Sequence, residues 1–121
     1  MGRAGQGVWG AAEPARRLLP VRETRTISRM RYEWDTAKGI ENRRKHGIDF
    51  RDALPALTDP RRLEWIDDRF AYGEERTVTL GLSQGNVLFV VTTLWDEDTC
   101  RLISARRATR DEEDQYYTGV A

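Results

Sequence analysis

The sequence predicts a small α+β fold in which an N-terminal strand and two helices are followed by an antiparallel sheet and a C-terminal helix. Three observations support this prediction. Apolar residues recur at helical spacing in the first half of the chain, they alternate at strand spacing in the second half, and helix-capping residues stand at the boundaries. A chain of 121 residues suits one domain, which we expect over residues 30–121 with the helices on one sheet face.

Residues 1–29 show neither the helical nor the strand periodicity of apolar residues, and they mix Gly, Ala, Pro and Arg. Such a segment buries too little apolar surface to offset the entropy lost on ordering. We therefore expect a disordered N-terminal extension, and the regular pattern begins so sharply at Met30 that this residue is a candidate translation start. Six arginines against two glutamates leave a nucleic-acid-binding arm or an organelle transit peptide as alternatives.

The first regular elements are a short strand and a cationic helix. Tyr32 and Trp34 alternate with charged residues, which is typical of a half-buried strand. Asp35 is suited to cap a helix over residues 36–46, and Gly47 is suited to the positive φ that follows a helix end. Its face of Lys38, Asn42 and Lys45, with Arg43 and His46 beside it, makes this helix unusually basic.

A second, amphipathic helix follows after Asp49, which repeats the capping signal. Pro55 lacks the N–H that a position deep in a helix needs, so we expect a kink or a shorter helix. Asp59-Pro60 ends the element. The apolar stripe at spacings of three and four comprises Phe50, Ala53, Leu54 and Leu57.

The second half of the chain predicts a sheet. We expect strands over residues 62–66, 76–82, 87–94 and 101–108, with turns at 84–86 and 96–98. The nearly continuous apolar run from Val87 to Leu94 indicates a central strand that is covered on both faces. Thr109 then caps a final helix that runs through Tyr117 and has three acidic residues in its first turn.

Composition restricts the function classes. The chain has 20 basic and 20 acidic residues, so a nucleic-acid site would have to be a local cluster of basic residues. Cys100 is the single cysteine, which rules out an internal disulfide and a cysteine-based zinc framework and fits a reducing, cytoplasmic setting. The longest apolar stretch is too short to span a membrane.

Several short motifs occur in an order that resembles the BrnT family of toxins over residues 30 to about 117. The resemblance implies a RelE-like fold and a ribonuclease that inhibits translation. It also implies neutralisation by a BrnA-like antitoxin, through which operator DNA would be contacted only indirectly. The motifs are Tyr32–Asp35, Arg44–Ile48 with Phe50, Asp59-Pro60, Tyr72–Arg76, and Ile103–Thr109 with Glu112 and Tyr116 beyond.

His46, Arg76 and Arg106 are the candidate catalytic residues of such a ribonuclease. RNA can be cut without metal when its 2′-OH is deprotonated, the developing charge is neutralised and the leaving oxygen is protonated. His46 is the only histidine, and histidine both takes and gives a proton near neutral pH. Its alternative role is a favourable interaction with the helix C-terminus. The arginines offer paired donors to phosphate, or they form structural ion pairs, for Arg76 with Glu74, Glu75 or a residue on the next strand.

Lys45, Tyr72 and Arg107 are the candidate substrate-binding residues. Lys45 adds positive charge beside His46, and Tyr72 is able to stack on a base. Arg106 and Arg107 alternate along a strand, so we expect one of them to be solvated or in a structural ion pair. The acidic residues lie scattered, without the clustered spacing that binds Mg²⁺ or Zn²⁺, so we expect neither a metal nor another cofactor.

A non-catalytic alternative is a partner-binding module that acts as a co-repressor with a DNA-binding antitoxin. Both hypotheses predict a tight protein partner and no membrane association. They differ in one outcome, because expression of residues 30–121 alone should stop growth only if the protein is a toxin. A general RNA-binding domain is disfavoured by the acidic excess of residues 30–121.

Overall fold

The computed structural model describes residues 22–27, 29–67 and 75–119, which confirm the α+β class. The elements are β1 (Arg22–Ile27), β2 (Met30–Asp35), α1 (Thr36–His46), α2 (Phe50–Leu57), β3 (Leu63–Asp67), β4 (Arg76–Ser83), β5 (Asn86–Asp96), β6 (Thr99–Arg107) and α3 (Arg110–Thr118). The six strands of these ranges form one sheet in the order β1-β2-β6-β5-β4-β3. No helix within the described ranges is long and apolar enough to cross a membrane.

The sheet is mixed, which corrects the prediction of an antiparallel sheet. β2 pairs with β6 in parallel, with Arg31 opposite Thr99 and Glu33 opposite Arg101. The other neighbouring strands are antiparallel. Alternation along a strand reports which residues are buried but carries no information about its pairing partner. β5 lies inside the sheet as predicted, and its residues 87, 88, 90 and 91 are buried.

The strand β1 corrects the expected boundary of the domain. Arg22–Ile27 pairs antiparallel with β2 along its whole length, although residues 1–29 were predicted to be disordered. Ile27 packs against the core, and Arg22 forms a 2.8 Å ion pair with Glu33. The short segment has few apolar residues, so its order comes from the β2 edge that supplies its hydrogen bonds. Residues 1–21 lie outside the described ranges.

The first two helices begin and end where the capping residues predict. Asp35 accepts hydrogen bonds from two backbone N–H groups of α1, and Gly47 follows that helix with a φ of 74°. Asp49 caps α2 in the same way. Pro55 is exposed, and α2 continues for only two residues beyond it, to Leu57, so the proline leaves a short helix of eight residues.

The helices cover both faces of the sheet, which corrects the expectation of one covered face. Leu88 belongs to the large core cluster together with Phe50 and Leu54 of α2. Val87 belongs to a second cluster together with Leu80 and Tyr116 of α3. Because successive strand residues point to opposite faces, α2 and α3 lie on opposite sides of the sheet.

Candidate active site

The helix α1 lies beside β6, next to the end of the strand β2 that precedes it. Asn42 is the buried residue of α1, and its side chain bonds to the backbone of Ala105. The Nδ2 group donates to the Ala105 carbonyl at 2.9 Å, and Oδ1 accepts from the Ala105 N–H at 3.1 Å. The Asn42 amide therefore forms with β6 two hydrogen bonds like those of a neighbouring strand. It does so beyond the point at which β2 ends.

The contact between Asn42 and Ala105 is close in sequence to three of the predicted residues. His46 follows Asn42 by about one helical turn, and Arg107 follows Ala105 by two residues. Lys45, His46 and Arg107 are all exposed. Within residues 22–27, 29–67 and 75–119, their side chains form no hydrogen bond or ion pair. We call these three exposed residues, which lie within about one helical turn of Asn42 or two residues of Ala105, the basic edge.

Arg106 lies at the same end of β6 but is engaged within the fold. Its guanidinium forms a bidentate pair with Glu112 of α3, at 2.9 and 3.0 Å. It also stacks on the Phe89 ring, with 3.9 Å from the guanidinium carbon to the ring centre. Although burial alone would raise it, hydrogen bonds from Arg106 and Thr109 hold the pKa of Glu112 below its usual value. Of the two neighbouring arginines, Arg106 is therefore the one in a structural ion pair.

Arg76 lies away from the basic edge, so it does not form one clamp with Arg106. Arg106 is opposite Phe89 and Arg76 is opposite Thr93. The two arginines are therefore about 13 Å apart along the strands and about 10 Å apart across them, which gives roughly 16 Å between Cα atoms. The cross-strand neighbour of Arg76 is the buried carboxylate of Asp67. Tyr72, the remaining predicted residue, lies outside the described ranges.

Tyr116 and Asp59 anchor α3 to the sheet. The Tyr116 hydroxyl donates to Oδ2 of Asp59, which also accepts from the Leu82 N–H at 2.8 Å. Burial, and then the bond to Asp59, raise the pKa of Tyr116 to about 12. Burial opposes ionisation of Asp59 as well, but the hydrogen bonds from Tyr116 and the Arg61 and Leu82 N–H groups lower its pKa. Both residues therefore have a structural role.

A cleft on the α2 side of the sheet differs from the basic edge in its chemistry. It has a volume of about 280 Å³ and is lined mainly by threonine and apolar side chains. Its one arginine, Arg62, is bonded to Glu64 at 2.6 Å and to the Asp59 carbonyl at 3.1 Å. Because that cation is engaged, the cleft offers phosphate no available positive charge. In the part of the chain that the structure describes, no group of three His, Cys, Asp or Glu residues is arranged to hold a metal ion.

Comparison with known proteins identifies the family. A family model described as the ribonuclease toxin, BrnT, of type II toxin–antitoxin systems matches residues 34–112, well over half of the chain. The chain belongs to the BrnT family. Among solved structures, the 1.1 Å crystal structure of the Brucella abortus ribonuclease toxin BrnT is similar with a TM-score of 0.48 and 25% identity, covering 64% of this chain and 94% of that one. No curated protein matches the chain.

Three of the motif residues have a structural role, because they hold α3 in place. Glu112 of α3 bonds to Arg106, and Tyr116 of α3 bonds to Asp59. Asn42 was missed as a site residue, although a signal existed. Asn42 has a low helix propensity and lies on the predicted face with Lys38 and Lys45. In the structure Asn42 is buried, whereas the two lysines are exposed.

Proposed function

We propose that this BrnT-family toxin is a metal-independent endoribonuclease whose site is the basic edge. The observation that carries the proposal is the exposure of Lys45, His46 and Arg107, whose side chains form no hydrogen bond or ion pair in the described ranges. Side chains that are already paired must lose that pairing before they bind phosphate, whereas these three are available. Arg106 contributes only if Glu112 releases it, and Arg76 would contact a different nucleotide.

The chemistry uses a proton acceptor and fixed cations. His46 takes the proton of an RNA 2′-OH while the 2′-oxygen attacks the adjacent phosphorus. The bond from phosphorus to the 5′-oxygen breaks, and that oxygen takes up a proton from water. The products are a 2′,3′-cyclic phosphate and a 5′-OH end. Lys45 and Arg107 stabilise the negative charge that develops on the phosphoryl oxygens.

We also propose that a BrnA-like antitoxin neutralises the toxin by covering the basic edge. A type II system pairs its toxin with a protein antitoxin, and exposed arginine is favoured in protein interfaces. In this proposal the chain acts in the cytoplasm on RNA, its fold is similar to RelE-type toxins, and it contacts operator DNA only through the antitoxin.

The test is cleavage of a mixed-sequence RNA by the purified chain and by charge-matched variants. His46→Ala is expected to lower the cleavage rate roughly 10²–10⁴-fold, the range for a lost general acid or base. Lys45→Ala should weaken cleavage more than Lys38→Ala, which removes the same charge from the first turn of the same helix. Thermal melting shows that each variant is folded. EDTA should leave the rate unchanged, and a BrnA-like antitoxin should stop the reaction.

Two results would contradict the proposed mechanism, and a third would contradict ribonuclease activity altogether. Full activity of His46→Ala would remove histidine from the mechanism. Loss of activity in EDTA with recovery in Mg²⁺ would show that the reaction needs a metal. A folded chain that neither cuts RNA nor arrests growth, yet binds the antitoxin, would instead support the co-repressor alternative.

A further inference from the structure

The side chain of Asn42 is the only contact by which α1 is hydrogen-bonded to the end of β6 in the described ranges. Both N–H groups of the amide are used, one on the Ala105 carbonyl and one on the Ile48 carbonyl at 3.0 Å. Its oxygen accepts from the Ala105 N–H. A single buried side chain therefore joins three pieces of backbone: the helix α1, the turn that follows Gly47, and the strand β6.

These three pieces carry or adjoin the basic edge. The last turn of α1 carries Lys45 and His46, Ile48 follows that helix end after Gly47, and β6 continues from Ala105 to Arg107. The other residues of α1 are exposed or of intermediate burial, and the helix packs closely on Trp34 and Phe50 at Gly39, nearly two turns before His46. The spacing between the histidine and the arginine thus depends on the Asn42 amide more than on apolar packing.

We propose that Asn42 is a positioning residue for RNA cleavage, which sets the distance between His46 and Arg107. The inference rests on the function proposed above. Asn42 itself is buried and does not touch the substrate. Loss of its amide leaves the charges of the basic edge in place but lets α1 shift against β6. A displacement of about 1 Å of a reacting group lowers the rate by up to about 10²-fold, so the effect falls on kcat and leaves KM nearly unchanged.

A double-mutant cycle between Asn42 and His46 tests this role. Asn42→Ala is expected to lower kcat about 10- to 100-fold with KM within about threefold of wild type. If Asn42 acts by positioning His46, Asn42→Ala should cost little further activity in a His46→Ala background. Ser83→Ala is the matched control, because the buried Ser83 hydroxyl ties α2 to β4 through the Asp52 carbonyl, and β4 is separated from β6 by β5. We expect its kcat to stay within about twofold of wild type.

Each variant is assayed at a temperature well below its own melting transition. If Asn42→Ala is unfolded, Asn42→Asp takes its place, since it keeps the volume and the bond from the Ala105 N–H while losing both donated bonds. A folded Asn42 variant with wild-type kcat overturns the inference, and so does an equal loss in both backgrounds. If His46→Ala itself is fully active, the proposed function has failed instead, and the cycle shows which of the two is wrong.

Discussion

Tyr116→Phe removes a single oxygen from the bond that anchors α3, and its effect can be worked out from the structure. The ring stays in its cluster with Leu80 and Val87, so only the bond from the hydroxyl to Asp59 is lost. A hydrogen bond to a charged group contributes about 1.5–3 kcal/mol. Asp59 keeps its bonds from the Leu82 and Arg61 N–H groups, so we expect the lower end, about 1.5 kcal/mol. That corresponds to a melting temperature lower by about 5–10 °C.

The difference in the free energy of unfolding between wild type and Tyr116→Phe should decrease at low pH and at high pH. The pKa of Asp59 is lowered by folding, so its contribution is present above the unfolded value of about 3.9 and is lost as the pH falls further. The pKa of Tyr116 is raised to about 12, so its contribution is present below the unfolded value of about 10 and is lost as the pH rises toward 12. The difference should therefore be constant between about pH 5 and pH 9 and shrink outside that window.

The assay is urea unfolding of both proteins across this pH range, with Tyr117→Phe as the control. Tyr117 is the next residue on the same helix and 67% exposed, whereas Tyr116 is 6% exposed. Loss of the hydroxyl in Tyr117→Phe should therefore change the free energy of unfolding by less than about 0.5 kcal/mol. A Tyr116→Phe protein as stable as wild type, or a difference that does not vary with pH, would refute the assignment of this bond as an anchor.

Two further predictions concern the edge strand and the contact between α2 and β4. Removal of residues 1–21 is expected to leave the melting temperature unchanged, whereas removal of residues 1–29 should lower it, because the second truncation deletes β1. Equal melting temperatures would show that β1 adds no stability. Gly81→Ala places a Cβ in steric clash with the Ala56 carbonyl oxygen, so urea unfolding should show a loss of about 3 kcal/mol, the upper end of the usual cost of overpacking. In Gly85→Ala the added Cβ meets no atom within 4 Å, so this variant should lose only about 1 kcal/mol of stability from its positive φ. A similar loss of stability in both variants would contradict the close contact between Gly81 and Ala56.

Local signals predicted the elements well because their causes lie within a few residues. Asp35 and Gly47 determine the ends of α1 through bonds to its own backbone. The parallel pairing of β2 with β6 depends on residues nearly 70 positions apart, so no local pattern contains it. The strand β1 was missed for the same reason, since its order comes from the edge of β2. The predicted site residues are divided by the fold: Lys45, His46 and Arg107 lie near the contact between α1 and β6, whereas Arg76 lies two strands away from β6. Their roles in catalysis stay a prediction.

The difference between Arg106 and Arg107 shows why sequence alone does not separate structural from functional charges. Both are arginines at the end of one strand, and alternation only predicts that they face opposite sides. What separates them is a carboxylate six residues after Arg106, which the cap at Thr109 directs back toward the strand. Glu112 bonds to the Thr109 N–H at 2.8 Å and to Arg106 at the same time, so the start of α3 fixes which guanidinium is engaged. Arg107 faces the other side of the sheet, opposite Leu88, and its side chain is exposed, which is why the proposed site includes Arg107 and not Arg106.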